Sequence, residues 1–426
     1  MENKKESFLN EVIKQIKLKE ARESVSIELN HHINEIKEKW IKKGLSEADA
    51  EDKAVKQMGD PTKLGQQLYK IYRPKIDWLL VILLISTFLI SFLPLLSLNS
   101  FDYTNGTYLM KRKIIFILFG AIAALGIMFI DYRKYKKLGW GFYIIGMVLL
   151  ALMYVSKGPI LNGWVYLNIG FNIDSTFAVP FLFLAFSSFL SSSKMKTWLT
   201  AILFFFSLLF IYYLPDKSTT FLYIIMIFMM FWQSKLRNRN IFIIITVMIS
   251  LAGGIAIFIS QLLQEYQKER ILGFLHPEEH AGGWGYLYLL IKRIIGEGSY
   301  FGKPEVKELL PEAHKELVFV NLVHYYGWIV ALIVIFILSL FILRVILISN
   351  KINDTYGKLL ITGAITLYTV QFIYSIAMNL GFLPLTGMSL PFMSYGLMPV
   401  LLNSIIIGVI LSVYRRKDLS SLKYQS

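Results

Sequence analysis

The chain has 426 residues, 55% of them hydrophobic and 15% aromatic, a balance that excludes an ordinary soluble domain and describes a polytopic membrane protein. Its formal charge of +15 does not argue for nucleic acid. The lysines and arginines beyond the N-terminal region fall in short clusters between apolar stretches, where they orient helices in a bilayer. With no cysteine, disulfides, thiolate catalysis and Cys-ligated metals are excluded.

Residues 1–75 read as a small helical prefix domain. Val25, Leu29, Ile33, Ile36 and Trp40 recur at helical spacing and predict one amphipathic helix, which Gly44 is placed to end. Ser46 with Asp49 opens a second helix, Gly59 stops it, and Asp60-Pro61 is an N-cap and first-turn pair for a third. His31 and His32 are adjacent and cannot share a helix face, so they read as solvated surface rather than metal ligands. The N-terminus carries no apolar core of signal-peptide type, which leaves the first span as the internal targeting signal.

Ten apolar segments follow: Trp78–Leu98, Ile114–Ile130, Leu138–Val155, Phe177–Leu190, Trp198–Leu214, Thr220–Trp232, Ile241–Leu262, Phe319–Leu347, Leu359–Leu380 and Leu390–Val413. The expected fold is therefore all-α, with about ten transmembrane helices over residues 76–416 and a tail at 417–426. Alternate connections are basic ("DYRKYKK", "SKMK", "SKLRNRN", "SNKINDTYGK", "YRRKD"), which puts both termini in the cytoplasm. One cluster disagrees, because Lys111 to Lys113 fall on the expected outer side. The long connection at about 264–318 falls outside, and with the start of the next span it holds four of the six histidines, His276, His280, His314 and His324. His276 and His280 mimic a metal-ligand spacing, but Pro277 interrupts it and no further ligand pair is evident, so no metal is expected there. Long ordered loops on membrane scaffolds tend to carry function.

At the end of that loop "LPEAHKELVF", residues 310–319, presses ionisable side chains against an apolar run. Near the C-terminus "NLGFLPLTGMSLPFMSYG", Asn379 to Gly396, breaks a span with Pro384, Gly387 and Pro391, which is tolerated at membrane depth only in a protein interior or a cavity wall. This second segment resembles the signature of the SEDS family of cell-wall proteins (FtsW, RodA and SpoVE). "GEGSYFGK" followed by "LPEAHKELVF" resembles two further family segments, and Arg270, Phe274 and Pro277 resemble its R...F-x-x-P run. "GLSEADAEDKAVKQMGDP" resembles, more distantly, helical prefix domains ahead of bacterial membrane proteins.

The resemblance implies a peptidoglycan glycosyltransferase in the bacterial cytoplasmic membrane, polymerising lipid-linked disaccharide-pentapeptide (lipid II or a related undecaprenyl-linked precursor) at the outer face. It implies a single-pass class B penicillin-binding transpeptidase as partner. The family's catalytic aspartate is replaced by Glu316, which would take the proton of the attacking sugar hydroxyl. Arg270, Lys292, Arg293 and Lys303 are candidates to hold the departing diphosphate, a duty that a magnesium or manganese ion could share. Glu312 and His314 match the family's fixed positions and would orient the site or cap the following helix, and Ser394 and Tyr395 would meet substrate. Without the resemblance, Glu316 reads equally as a first-turn carboxylate meeting a helix dipole, and Lys292 and Arg293 as snorkelling charges.

Several positions depart from the family. Leu397, Met398 and Pro399 stand where it has small residues, Leu287 where it has glutamine, and His324 and Tyr325 near its acidic pair. Its glutamate before the fourth span is missing from "FNIDSTF", with Asp174 nearby. These departures leave an active polymerase, a catalytically impaired partner or regulator of wall synthesis, and a lipid-linked precursor flippase as readings. The scarcity of intramembrane charge counts against the last.

Overall fold

A computed structural model of the protein describes residues 4–17, 19–99, 106–156, 160–161, 164–165, 167–168, 172–214, 216–234, 265–302 and 310–419. The chain separates into two compact units. One comprises Met1–Asp77, Lys351–Asp354 and Val413–Ser426, the other Trp78–Asn350 and Thr355–Ser412.

The first unit holds α1 (Lys4–Lys14), α2 (Lys19–Ile41), α3 (Glu47–Gln57) and α4 (Pro61–Tyr72), of which α1 goes beyond the three helices expected from the sequence. Val25, Leu29 and Ile33 are buried with Phe8, Val12 and Ile16, and Ile36 packs at the margin of that core. Trp40 leaves the expected stripe and lies under the ammonium groups of Lys43 and Lys53, each 4.7 Å from its ring centroid. The helix punctuation follows the local chemistry. The Ser46 hydroxyl accepts from the Asp49 N–H, and Asp60 accepts from the N–H groups of Thr62 and Lys63 at 2.8 and 3.0 Å. Gly44 and Gly59 take the left-handed conformation after the helices they end. His31 and His32 are exposed beside Glu35.

The remaining helices are α5 (Trp78–Ile90), α6 (Leu93–Asn99), α7 (Gly106–Phe129), α8 (Tyr132–Tyr135), α9 (Gly139–Val155), α10 (Val179–Ser191), α11 (Thr197–Tyr213), α12 (Lys217–Gln233), α13 (Glu265–Leu275), α14 (Gly285–Gly296), α15 (Val318–Tyr326), α16 (Trp328–Ser349), α17 (Thr355–Asn379) and α18 (Leu397–Arg415). Two antiparallel pairs of two-residue strands, Ile160–Leu161 with Trp164–Val165 and Leu167–Asn168 with Asn172–Ile173, decorate one connection. Among the described residues six helical stretches are long and apolar enough to cross a membrane, and Ser175–Ser191 and Thr197–Tyr213 are shorter apolar helices. The expected span at Ile241–Leu262 lies outside the described residues. Within the second unit α17 is central, packing against α10, α12 and α16. Outer helices such as α5, α7 and α9 turn Leu89, Ile122 and Ile144 outward, as all-round apolar helices do in lipid.

Three expected spans are interrupted. The first divides into α5 and α6 where Pro94 enters the first turn of α6 without an N–H to donate. The tenth begins only at Leu397, so Leu390 to Gly396 are non-helical. The eighth divides at Gly327, whose φ of 85° is open to glycine at little cost. There the backbone of the loop glycine Gly302 lies against that of Gly327, and Trp328 and Ile329 donate to the carbonyls of Ser299 and Tyr300 at 3.1 and 3.3 Å. The glycine-rich "GEGSYFG", residues 296–302, is therefore a packing element that docks the loop on a broken span.

A Cβ at Gly327 would stand 2.3 Å from the Gly302 nitrogen and 2.4 Å from the Tyr300 oxygen. Gly327→Ala is expected to destabilise the fold by at least about 1–3 kcal/mol, read as a lower thermal unfolding midpoint in detergent. An unchanged midpoint would show that the contact is not required.

Candidate functional site

The segment ahead of α15 coils around a single carbonyl. Glu312 adopts φ 50°, and its oxygen accepts from the N–H groups of Lys315, Glu316 and Leu317 at 2.9, 3.2 and 3.3 Å. Its carboxylate pairs with the Lys315 ammonium at 2.9 Å. The coil leaves the carbonyls of 314, 315 and 316 to be satisfied from outside it, and three groups from the proline-broken segment do so.

The Tyr395 N–H donates to the His314 carbonyl at 2.7 Å. The Ser394 hydroxyl donates to the Lys315 carbonyl at 2.6 Å while accepting from the Leu390 N–H at 2.8 Å. The Asn379 amide donates to the Glu316 carbonyl at 2.9 Å and to the Ser375 carbonyl at 2.8 Å, and its oxygen accepts from the Val320 N–H at 3.2 Å. The two motifs are thus one structural object with Glu316 at its centre. Behind it lies Lys113 of α7, fully buried, whose ammonium donates to the carbonyls of Phe392 at 2.9 Å, Ser394 at 3.0 Å and Met393 at 3.5 Å. The basic cluster that defies the loop-charge pattern is in part this internal contact.

Glu316 is partly buried, and desolvation pushes its carboxyl up to about 7. The charges of Glu312 and Asp216 act in the same direction, and those of Arg270 and Lys315 oppose it. His314 is held down to about 4 by burial and by Lys315, so its imidazole is neutral at physiological pH. Its ring meets Tyr395 edge-on at 5.4 Å.

Asp216 escapes sequence reasoning, although Asp-x-Ser-Thr ahead of an apolar helix is a readable N-cap. It caps α12 through the N–H groups of Ser218 and Thr219 and accepts from the hydroxyls of Ser175 and Thr219. Burial raises its carboxyl despite those bonds. Burial and the charge of Asp216 push Asp174 up to about 7, while Asp174 caps Thr176. The Ser218 hydroxyl donates to the Thr386 carbonyl, and Tyr288 of α14 accepts from the Leu385 N–H at 2.8 Å. The proline-broken segment is therefore stitched to α12 and α14 as well as to α7.

Arg270 stacks its guanidinium on Trp284, 4.4 Å from the ring centroid, with a buried Nε that has no hydrogen-bond partner among the described residues. Its charge reaches Glu316. Lys292 and Arg293 lie on the exposed face of α14, opposite the face that buries Leu290, Ile291 and Ile294 against Leu317 and Val320. Lys303 lies outside the described residues. Among the described residues no group of three or more His, Asp or Glu side chains is arranged to hold a metal ion.

The model of the FtsW, RodA and SpoVE proteins, described as cell cycle proteins, matches residues 75–419. A probable peptidoglycan glycosyltransferase FtsW of Trichlorobacter lovleyi is 26% identical over 330 residues, 73% of this chain and 85% of that protein. The peptidoglycan glycosyltransferase MrdB of Escherichia coli is 28% identical over 330 residues, 74% and 87% of the two chains. Among solved structures, a chain of a peptidoglycan synthase complex that coordinates polymerisation and crosslinking superposes with a TM-score of 0.67 at 21% identity, over 80% of this chain and 98% of that one. This last likeness establishes the shared helical membrane fold.

Asn379→Ala removes the donor to the Glu316 carbonyl and leaves the Val320 N–H without its acceptor. The expected cost is about 1–3 kcal/mol, measured as a drop in thermal midpoint. A variant as stable as the wild type would show that the amide is dispensable.

Proposed function

Because the chain belongs to the FtsW, RodA and SpoVE family of cell cycle proteins, we propose that this multi-pass membrane protein is a peptidoglycan glycosyltransferase with Glu316 as its general base. The substrate of this reading is lipid-linked disaccharide-pentapeptide. The observation that carries it is a carboxyl set on a turn held by Ser394, Tyr395 and Asn379, raised by burial to about 7 and acted on by the charge of Arg270. A base works best with its proton affinity close to the working pH.

Ionised Glu316 accepts the proton of the acceptor sugar hydroxyl as that oxygen bonds to the anomeric carbon of the donor. The bond from that carbon to the diphosphate breaks, and its electron pair leaves with the phosphate oxygen. Arg270 meets the negative charge that develops there, as an arginine fork suits phosphate oxygens. Lys292, Arg293 and Lys303 are assigned to the path of the diphosphate, and Glu312, His314, Ser394 and Tyr395 to the walls that orient the sugars. Magnesium or manganese bound chiefly through the diphosphate would neutralise the same charge and need only one or two protein carboxylates. A class B penicillin-binding transpeptidase fits as the partner, in keeping with the synthase complex that shares the fold. The reaction side is extracytoplasmic and both termini cytoplasmic.

Purified protein in lipid vesicles, given the lipid-linked precursor, a divalent cation and the transpeptidase, is expected to make glycan. Glu316→Gln should lower the rate by about 10²–10⁴-fold, with Glu316→Asp partly active. No glycan from the wild type would leave the non-catalytic partner reading in its place, and equal product from wild type and Glu316→Gln would remove Glu316 from the chemistry. The base must be ionised, so with its carboxyl at about 7 the rate should rise with pH through neutrality and fall on the acid side. A profile flat between pH about 6 and 8 contradicts the assignment.

The absence of cysteine makes the topology directly testable. In intact cells a membrane-impermeant maleimide should label Glu278→Cys and not Lys39→Cys, both of which replace exposed residues. The reverse pattern would overturn the orientation.

A further inference from the structure

Lys113 is the residue that the function above does not use. It lies in a spanning helix, where burying an ammonium is costly unless the surroundings compensate it. Its three acceptors are all backbone carbonyls, from consecutive residues of the proline-broken segment. That segment crosses membrane depth without helical or sheet pairing, so its carbonyls need donors from elsewhere. Phe392, the first of the three, adopts φ 61°, an outlier for a bulky side chain. Such strain persists only where the surroundings over-determine it. The Phe392 ring is wedged between Phe88 of α5 at 5.6 Å and Phe341 of α16 at 5.9 Å, and the ammonium holds its carbonyl.

From this contact two hydrogen bonds lead to the base. The Lys113 ammonium holds the Ser394 carbonyl, and the Ser394 hydroxyl holds the carbonyl of Lys315, the residue before Glu316. The next residue along, Tyr395, holds His314. Its ring is supported by Phe116, one turn from Lys113 on α7, at 5.7 Å. One helix thus sets both the main chain and the ring of the turn on which Glu316 rests.

We propose that Lys113 is a positioning residue for Glu316, its buried amino group on α7 fixing the turn 392–395 and, through Ser394 and Tyr395, the place of the carboxylate. The proposal rests on Glu316 being the base, and it assigns the ammonium neither substrate contact nor an orienting role in the bilayer.

The test reads Glu316 without turnover. Carbodiimide modifies a protonated carboxyl, so labelling of Glu316 against pH, followed by peptide mass spectrometry in the full-length protein in vesicles, reports where it titrates. Glu312, Arg270, Lys315 and Asp216 are the charged groups acting on it, and all are retained in the variants. Lys113→Met should move the half-labelling pH toward the ordinary carboxylate range by about one unit or more, as the displaced carboxyl gains water. Lys113→Arg, still able to donate to carbonyls, should move it less. In the polymerisation assay Lys113→Met should lose rate at saturating precursor by about tenfold or more, with KM little changed. A wild-type labelling curve in Lys113→Met overturns the proposal. Should that variant not fold, Ser394→Ala cuts the next link with Lys113 in place, and an unshifted curve there overturns it equally. A shifted curve in a protein whose wild type makes no glycan would uphold the positioning and defeat the reading of Glu316 as base.

Discussion

A main chain that leaves the helix inside a membrane protein must find partners for its carbonyls, and the site depends on how that demand is met. The turn 392–395 meets it with the buried ammonium of Lys113, while Ser394, Tyr395 and Asn379 supply donors in the opposite direction to residues 314–316. The proline-broken segment is thus both a consumer and a source of hydrogen bonds. Without it the coil built on the Glu312 carbonyl would present three successive acceptors to an apolar interior, each carrying the penalty of an unsatisfied polar group.

Around this frame the charges are arranged against one another. Asp174 and Asp216 sit buried at the start of neighbouring helices, and the second adds its field to that of Glu312 in raising the proton affinity of Glu316. Arg270 opposes them. A carboxyl held between such fields responds to small changes in either, so the arrival of an anionic group near Arg270 would itself raise the proton affinity of Glu316.

Much of this is legible in the sequence where the chemistry is local. The caps at Ser46 and Asp60 and the stop at Gly59 need only neighbouring residues, and the structure has all three. Trp40 fits the helical period but is taken out of the core by two lysines, one of them thirteen residues away on another helix. Gly327 is a single glycine in a long apolar run, and nothing near it in sequence announces the loop that packs there. Asp216 draws its hydroxyl partner Ser175 from 41 residues away, so its burial cannot be seen from "PDKSTT". Lys113 eludes the sequence for a different reason, since rules about loop charge count basic residues and are blind to one turned inward to carbonyls some 280 positions on.

All three hydrogen bonds that hold residues 314–316 end on main-chain oxygens. None involves the side chain at 316, so the frame is indifferent to whether that position carries aspartate or glutamate. Aspartate at 316 would therefore leave these three bonds in place, and the extra methylene of glutamate alters only how far the carboxylate reaches.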